Sequence, residues 1–403
     1  MMKKLLSLLI AMTLVFSLVA CGNSNASSQA PAETAAEAEA PTDAPAPSDA
    51  TFKIGGIGPI TGGAAVYGQA VKNAIEIAVD EINAAGGFNG YQVEFRYEDD
   101  EHDAEKSVNA YNSLKDWGMQ MLIGTVTSSP CIAVSDKTHA DNMFQITPSG
   151  SAVDCVANDN VFRMCFSDPD QGIASAQYIN DHSLAKKVGI IYDSSDVYST
   201  GIYEKFIQES AGKNYEVVAE EQFTADSKTD FTTQLTKLKA ADADLVFLPF
   251  YYTEAALVLN QAKQMGYAPT FFGCDGMDGI VTLENFDKSL AEGLMLLTPF
   301  SADATDTLTV NFVNEYQEKF GEIPNQFAAD GYDCVYTLKL ITEQVNADPA
   351  MSVSDLCNSF KNAMTTIRQS GLTGDSITWK ANGEPNKTPK AVVIQNGTYV
   401  LAE

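Results

Sequence analysis

The chain has 403 residues, 45% of them hydrophobic and 19% charged, enough for a sizeable core and, at this length, for two lobes. Its 53 Asp and Glu against 25 Lys and Arg leave a formal charge of −28, which excludes a nucleic-acid footprint, because neutralising phosphates takes Lys and Arg. The same acidity suits a solvated, monomeric, exported protein.

The N-terminus, "MMKKLLSLLIAMTLVFSLVACG", has a basic start (Lys3, Lys4) and an apolar run from Leu5 to Ala20. That run is too short and wrongly flanked for a spanning helix and reads as a signal peptide over residues 1–20. Leu18-Val19-Ala20-Cys21 resembles the bacterial lipobox, which makes Cys21 the expected lipid-bearing first residue of the mature protein. Residues 21–50, rich in Ala, Pro, Ser, Thr and Glu and without an aromatic, read as a flexible stalk behind that anchor. Beyond the leader no apolar run reaches membrane-span length, so the body is expected to be soluble but tethered. The later cysteines (131, 155, 165, 274, 334 and 357) form no CxxC, and the chain has only three His. Zinc spacing is therefore absent and no metal or other cofactor is expected. One disulfide is open to an exported chain, but this scatter reads as small buried thiols.

From Phe52 onward strands and helices alternate. "FKIGGIG" reads as a strand, followed by a helix with apolar residues at 71, 75, 78, 79 and 82, closed by Gly86-Gly87. "YQVEFRYED", "QMLIGTV" and "MFQIT" are further strands. "SSPCIAVSDKTHAD" reads as a helix with Ser128 as its N-cap. The acidic "YEDDEHDAE" reads as a strand end and a solvated helix start rather than a metal site. After "FRMCFSDPDQG" the rhythm restarts: strands "KVGIIYD", "EVVAEEQF", "DLVFLPF" and "PTFFGC" alternate with helices near Gly201–Gly212, Phe231–Ala240 and Glu254–Gly266. "EGLMLLTPF" leads back toward the first lobe, two helices follow, and the end is strand-like with turns at Asn382-Gly383 and Asn396-Gly397. The pattern predicts an α/β chain with two parallel sheets, each covered on both faces.

Ligands of open parallel sheets sit beyond the carboxyl ends of the strands. The residues that follow these strands are Thr127 and Ser128, Ser149 and Ser151, Tyr198, Tyr251 and Asp275. Ser128 at a helix start can seat a carboxylate, since free N–H groups and the helix dipole favour an anion. Ser149 and Ser151 offer carbonyl, amide and hydroxyl groups, and Asp275 offers a counter-charge to an ammonium. Each has a plainer alternative: a cap, a turn, a half-buried aromatic. "GGIGPITGG" lacks both the Walker Lys and the dinucleotide spacing. No GxSxG elbow or His accompanies the serines, so an enzyme is not expected.

The blocks "IGPITGGAAVYGQAVKNAIEIAVDEINAAGGFNGYQVEFRYEDD", "LIGTVTSSPCIAVSD", "ITPSGS", "YDSSDVYSTG", "GYDCVYTL" and "GDSITWKANGEP" together resemble the branched-chain amino acid (leucine/isoleucine/valine) binding protein family, type I solute-binding proteins of ABC importers. The resemblance implies two doubly wound lobes joined by a three-segment hinge. Lobe 1 would span residues 51–167 plus 299–389, and lobe 2 residues 168–298 plus 390–403. It implies a carboxylate-binding role for Ser128, a carbonyl acceptor for the ammonium at Ser149, and a hydroxyl and amide donor at Ser151. It further implies second-lobe tyrosines at Tyr198 and Tyr251, an acidic ammonium partner at Asp275, an aromatic at the cleft mouth in Tyr67 and one lining the side-chain pocket in Phe327. Three departures stand out: Ser151 replaces a common Thr, Asp275 is one methylene shorter than the usual Glu, and His102 and Thr127 replace a disulfide of some members. Gly150 and Thr127 are expected to enlarge and polarise the pocket. The implied function is capture of an amino acid and its delivery to importer permease subunits. The rivals are the same fold binding a small amide, urea or aromatic acid, and a ligand-sensing receptor module.

Overall fold

The computed structural model describes residues 50–402, so Cys21 and the stalk to residue 49 lie outside the described residues. The first sheet is built from β1 (Phe52–Gly58), β2 (Val93–Asp99), β3 (Met121–Gly124), β4 (Phe144–Thr147) and β5 (Val161–Arg163), in the order β2-β1-β3-β4-β5 with every pair parallel. Its crossovers carry α1 (Ala65–Ala84), α2 (Ala104–Trp117) and α3 (Ser128–Ala140). β3 and β4 are buried at every residue, as strands covered on both faces must be, which is why they are continuous apolar runs.

The chain then enters α4 (Asp168–Asp181), opened by a capping box between Ser167 and Asp170. The second sheet follows: β6 (Lys187–Asp193), α5 (Val197–Ser210), β7 (Glu216–Phe223), α6 (Thr232–Ala240), β8 (Leu245–Leu248), α7 (Tyr252–Gln264), β9 (Thr270–Gly273) and β10 (Met295–Thr298). From β10 it passes to α8 (Thr307–Phe320), α9 (Gln326–Gln344) and α10 (Val353–Met364), of which α9 packs along α1 and α10 against β4. After the small hairpin β11 (Gln369–Gly371) and β12 (Gly374–Ile377), the chain rejoins the second sheet as β13 (Lys390–Gln395) and β14 (Thr398–Leu401). That sheet runs β14-β13-β10-β9-β8-β6-β7, parallel except where β13 meets β10 and β14. The β13–β14 turn holds Asn396 (φ 52) and Gly397 (φ 74), the left-handed pair that an Asn-Gly hairpin uses. Among the described residues no helix is long and apolar enough to cross a membrane.

Two helix starts differ from the sequence reading. α5 begins at Val197 rather than near Gly201, because the Asp196 side chain accepts from Tyr198 N at 3.0 Å and starts the helix early. α7 begins at Tyr252, with Tyr251 as its N-cap residue. Both tyrosines therefore sit at helix N-termini rather than in free loops.

Candidate functional site

The carboxyl ends of β3 and β4 form one wall of a cleft. Thr127, in extended conformation, is the N-cap residue of α3 and makes no side-chain cap, and Ser128 is the first helical residue rather than the cap expected of it. The reason is competition for hydroxyls. Thr127 Oγ1 pairs with His102 Nδ1 at 2.8 Å, and Ser128 Oγ accepts from Ser151 N at 3.3 Å and Ala152 N at 3.2 Å. Ser149 Oγ donates to Val126 O at 2.6 Å. Ser151 Oγ is buried and has no hydrogen-bond partner among the described residues. Gly150 corrects another expectation. A Cβ added there would lie 2.7 Å from Thr147 Oγ1 and 2.9 Å from Cys131 Sγ, so it faces the packed side of the loop and does not enlarge the cavity.

The opposite wall comes from the second sheet. Asp275, following β9, is buried; its Oδ1 accepts from Tyr198 OH at 2.7 Å, and Gly276 N donates back to that hydroxyl at 2.9 Å. Tyr198 and Tyr251 stack at 4.9 Å with an interplanar angle of 5°. Tyr67, from α1, packs on Phe327 of α9 at 4.3 Å and donates its hydroxyl to Gly276 O. Gln326 Nε2 donates to Asp275 O at 3.0 Å, and Gln326 N to Asp278 Oδ2 at 2.9 Å, so the start of α9 is bonded to the segment after β9. Ser128, Ser149, Ser151, Tyr198, Tyr251, Asp275, Tyr67 and Phe327 all line one cavity. Its volume is about 10 Å³, room for roughly one water. The walls are drawn together, and anything of amino-acid size needs them to part.

The electrostatics are uneven. Burial pushes the Asp275 carboxyl up to about 6, against the Tyr198 hydrogen bond that lowers it. Asp168, the first residue of α4, is fully buried, and neither carboxyl oxygen meets a hydrogen-bond partner among the described residues. Burial raises its pKa well above the carboxylate range, and the nearby Asp275 charge pushes it further up. The sequence reading passed over Asp168, because "SDPDQG" looks like a helix start and nothing more. It also passed over Gln171, whose Oε1 accepts from Asp275 N at 3.1 Å. The only sequence-level signal was an extra acid in a segment that crosses between sheets. The acids of "YEDDEHDAE" bond backbone amides: Asp99 Oδ1 accepts from Glu101 N at 3.0 Å and from Ile60 N, across the β1 end, at 2.9 Å, and Asp103 caps α2.

A model of the periplasmic binding protein family matches residues 51–398. The chain belongs to that family. It is 32% identical over 234 residues to Leu/Ile/Val-binding protein homolog 3 of Brucella melitensis, covering 57% of this chain and 62% of that relative, less than two thirds of the relative's length. It is 28% identical over 302 residues to the leucine-, isoleucine-, valine-, threonine-, and alanine-binding protein of Pseudomonas aeruginosa, covering 74% of this chain and 80% of that one. The crystal structure of the branched-chain amino acid transporter substrate binding protein LivJ from Streptococcus pneumoniae, in complex with isoleucine, superposes with a TM-score of 0.79 at 28% identity, covering 88% of this chain and 99% of that one.

Proposed function

We propose that this chain is an extracytoplasmic solute-binding protein that captures an amino acid, aliphatic or branched-chain, between two lobes and delivers it to the permease subunits of an ABC importer. The observation that carries this reading is the division of charge across the cleft. One wall presents the uncapped start of α3 and the amides of the Ser149–Ala152 loop. The other presents a buried carboxylate, Asp275, with no ion-pair partner among the described residues. An α-carboxylate suits the first and an α-ammonium the second.

In this reading residues 51–167 and 299–389 form lobe 1, and residues 168–298 and 390–403 form lobe 2. Ser128 and the amides of Ser151 and Ala152 take the carboxylate. Ser149, whose hydroxyl is already committed, contributes its carbonyl to the ammonium, and the unpartnered Ser151 hydroxyl turns to the ligand. Tyr198, Tyr251 and Asp275 complete the shell as the lobes close. Tyr67 guards the mouth and Phe327 lines the side-chain pocket. The family match supports a binding protein rather than an enzyme. The lipobox-like Leu18–Cys21 supports tethering to the outer face of the bacterial cell membrane, and the charge of −28 supports a monomer.

A thermal-shift screen of the stalk-free protein against twenty amino acids, urea, small amides and aromatic acids tests the ligand class. An aliphatic amino acid should give the largest rise in melting temperature. A rise confined to urea, an amide or an aromatic acid would replace this reading with its rival.

A further inference from the structure

Arg163, the last residue of β5, is wholly buried, yet its guanidinium is directed mainly at backbone. Nη1 donates to Gly150 O at 3.1 Å and to Ser151 O; Nη2 donates to Ala152 O at 2.9 Å and Val153 O at 3.5 Å. On the far side, Nε lies 3.2 Å from Glu384 Oε2. The backbone of Arg163 is held by the last crossover: its N–H donates to Gly383 O at 3.0 Å, and its carbonyl accepts from Trp379 Nε1 at 2.8 Å.

A trans peptide points its C=O and the following N–H in opposite directions. With the carbonyls of Gly150 and Ser151 turned to the guanidinium, the N–H groups of Ser151 and Ala152 face the other way. They meet Ser128 Oγ at 3.3 and 3.2 Å on the cleft side. A cation behind these aligned peptide dipoles, in a buried setting, adds positive potential at the amide ends. A planar fork with five donors holds these four carbonyls through Nη1 and Nη2 and leaves Nε for Glu384; a lysine would keep the charge but, with three donors on one atom, not this geometry.

We propose that Arg163 is a positioning residue for the ligand carboxylate. It orients and polarises the peptide units between Gly150 and Ala152, and it ties that loop to the Trp379–Glu384 crossover. The inference rests on the amino-acid reading above and sharpens it, since it predicts discrimination for the carboxylate in particular.

The test is calorimetry with leucine and with leucinamide, which keeps the ammonium and side chain but lacks the carboxylate charge, on wild type, Arg163→Met, Arg163→Lys and Glu384→Gln. Arg163→Met should lose at least tenfold in leucine affinity and less than threefold in leucinamide affinity. Arg163→Lys should fall between it and wild type. Glu384→Gln keeps the fork and removes its counter-charge, so it should raise the leucine-to-leucinamide ratio, a change of sign that structural damage does not produce. If Arg163→Met does not fold, the lysine and Glu384 variants carry the same ratio test. Equal loss for both ligands, or an unmoved ratio in folded variants, overturns the inference while leaving the amino-acid reading intact. A wild type that binds neither leucine nor any other amino acid in the screen overturns the reading and the inference together.

Discussion

Two groups of buried carboxylates in this molecule are finished in different ways. On α9, Asp333 accepts from Leu372 N and Thr373 N, both at 2.9 Å, and from Thr373 Oγ1 at 2.6 Å, while Asp330 accepts from Lys387 Nζ at 2.8 Å. The Lys387 and Asp330 side chains are each 1% exposed. Burial raises the Asp330 carboxyl to about 7, against the Lys387 ammonium that lowers it. At 2.8 Å, with Thr373 Oγ1 as the ammonium's further acceptor at 2.6 Å, we read the pair as ionised. In the cleft, Asp275 has one phenol hydroxyl and Asp168 has no hydrogen-bond partner among the described residues. Burial raises both. A buried carboxylate with its own cation holds a structure together. Leaving one without a cation costs stability, and such cost is tolerated where function supplies the missing charge.

The comparison can be broken from either side. Lys387→Met keeps most of the side-chain volume but strands Asp330. Breaking a buried pair costs about 3–5 kcal/mol, so denaturant unfolding should show a loss in that range with little change in leucine affinity of the folded protein. A loss under about 1 kcal/mol would mean the pair contributes no more than a surface ion pair.

Asp275→Asn makes the reverse case. It keeps shape but removes the counter-charge, and should weaken leucine binding by roughly two to three and a half decades. The ligand-free protein should become more stable, because an unpaired buried charge is gone. Binding within about threefold of wild type, under 1 kcal/mol, would reduce Asp275 to a turn residue.

Acidification sharpens the contrast further. In the proposed reading an α-ammonium needs Asp275 ionised, and its folded pKa is raised to about 6. Leucine affinity measured calorimetrically should therefore fall by about tenfold from pH 7 to pH 5. For the ligand-free protein the sign is opposite. A carboxyl whose folded pKa lies above its unfolded value contributes stability that is present below the unfolded pKa, near 4, and is lost as pH rises through the folded one. Asp168 and Asp278 shift in the same direction. Affinity and these groups' contribution to stability should thus move oppositely between pH 4 and 7; affinity that is flat across this range would argue that Asp275 is not the ammonium's partner.

Asp168→Asn should have the smallest effect. Asp168 does not itself line the cavity and acts there through its charge on Asp275. A loss of roughly threefold to tenfold in leucine affinity, with a gain in ligand-free stability, is expected. Unchanged affinity would make it a helix-start residue and confine the functional acid to Asp275.

Much of this architecture was written locally. The alternation of apolar strands with 3.6-period helices predicted two parallel sheets, and Asn396-Gly397 marked the terminal hairpin, because these signals depend on neighbours in the chain. The carboxyl-end rule and the family resemblance together named the residues that line the cavity. β5 escaped because a strand of three residues has no period to read, and α10 was not singled out although its buried Leu356, Cys357, Phe360, Ala363 and Met364 lie at helical spacing. Hydroxyl partners were beyond local reading. Nothing in "TVTSSP" says that Ser128 leaves the cap role to accept two amides from a loop more than twenty residues away. Asp168 and Arg163 were equally silent, one looking like a helix start and the other a lone cation in "VFRMCF". Their roles come from burial and from partners brought in across the crossovers. The sequence by itself determined which segments fold and which residues come to line the cavity. Only the tertiary structure decided which buried charges are paired, because desolvation and long-range hydrogen bonds exist only once the sheets and crossovers have come together.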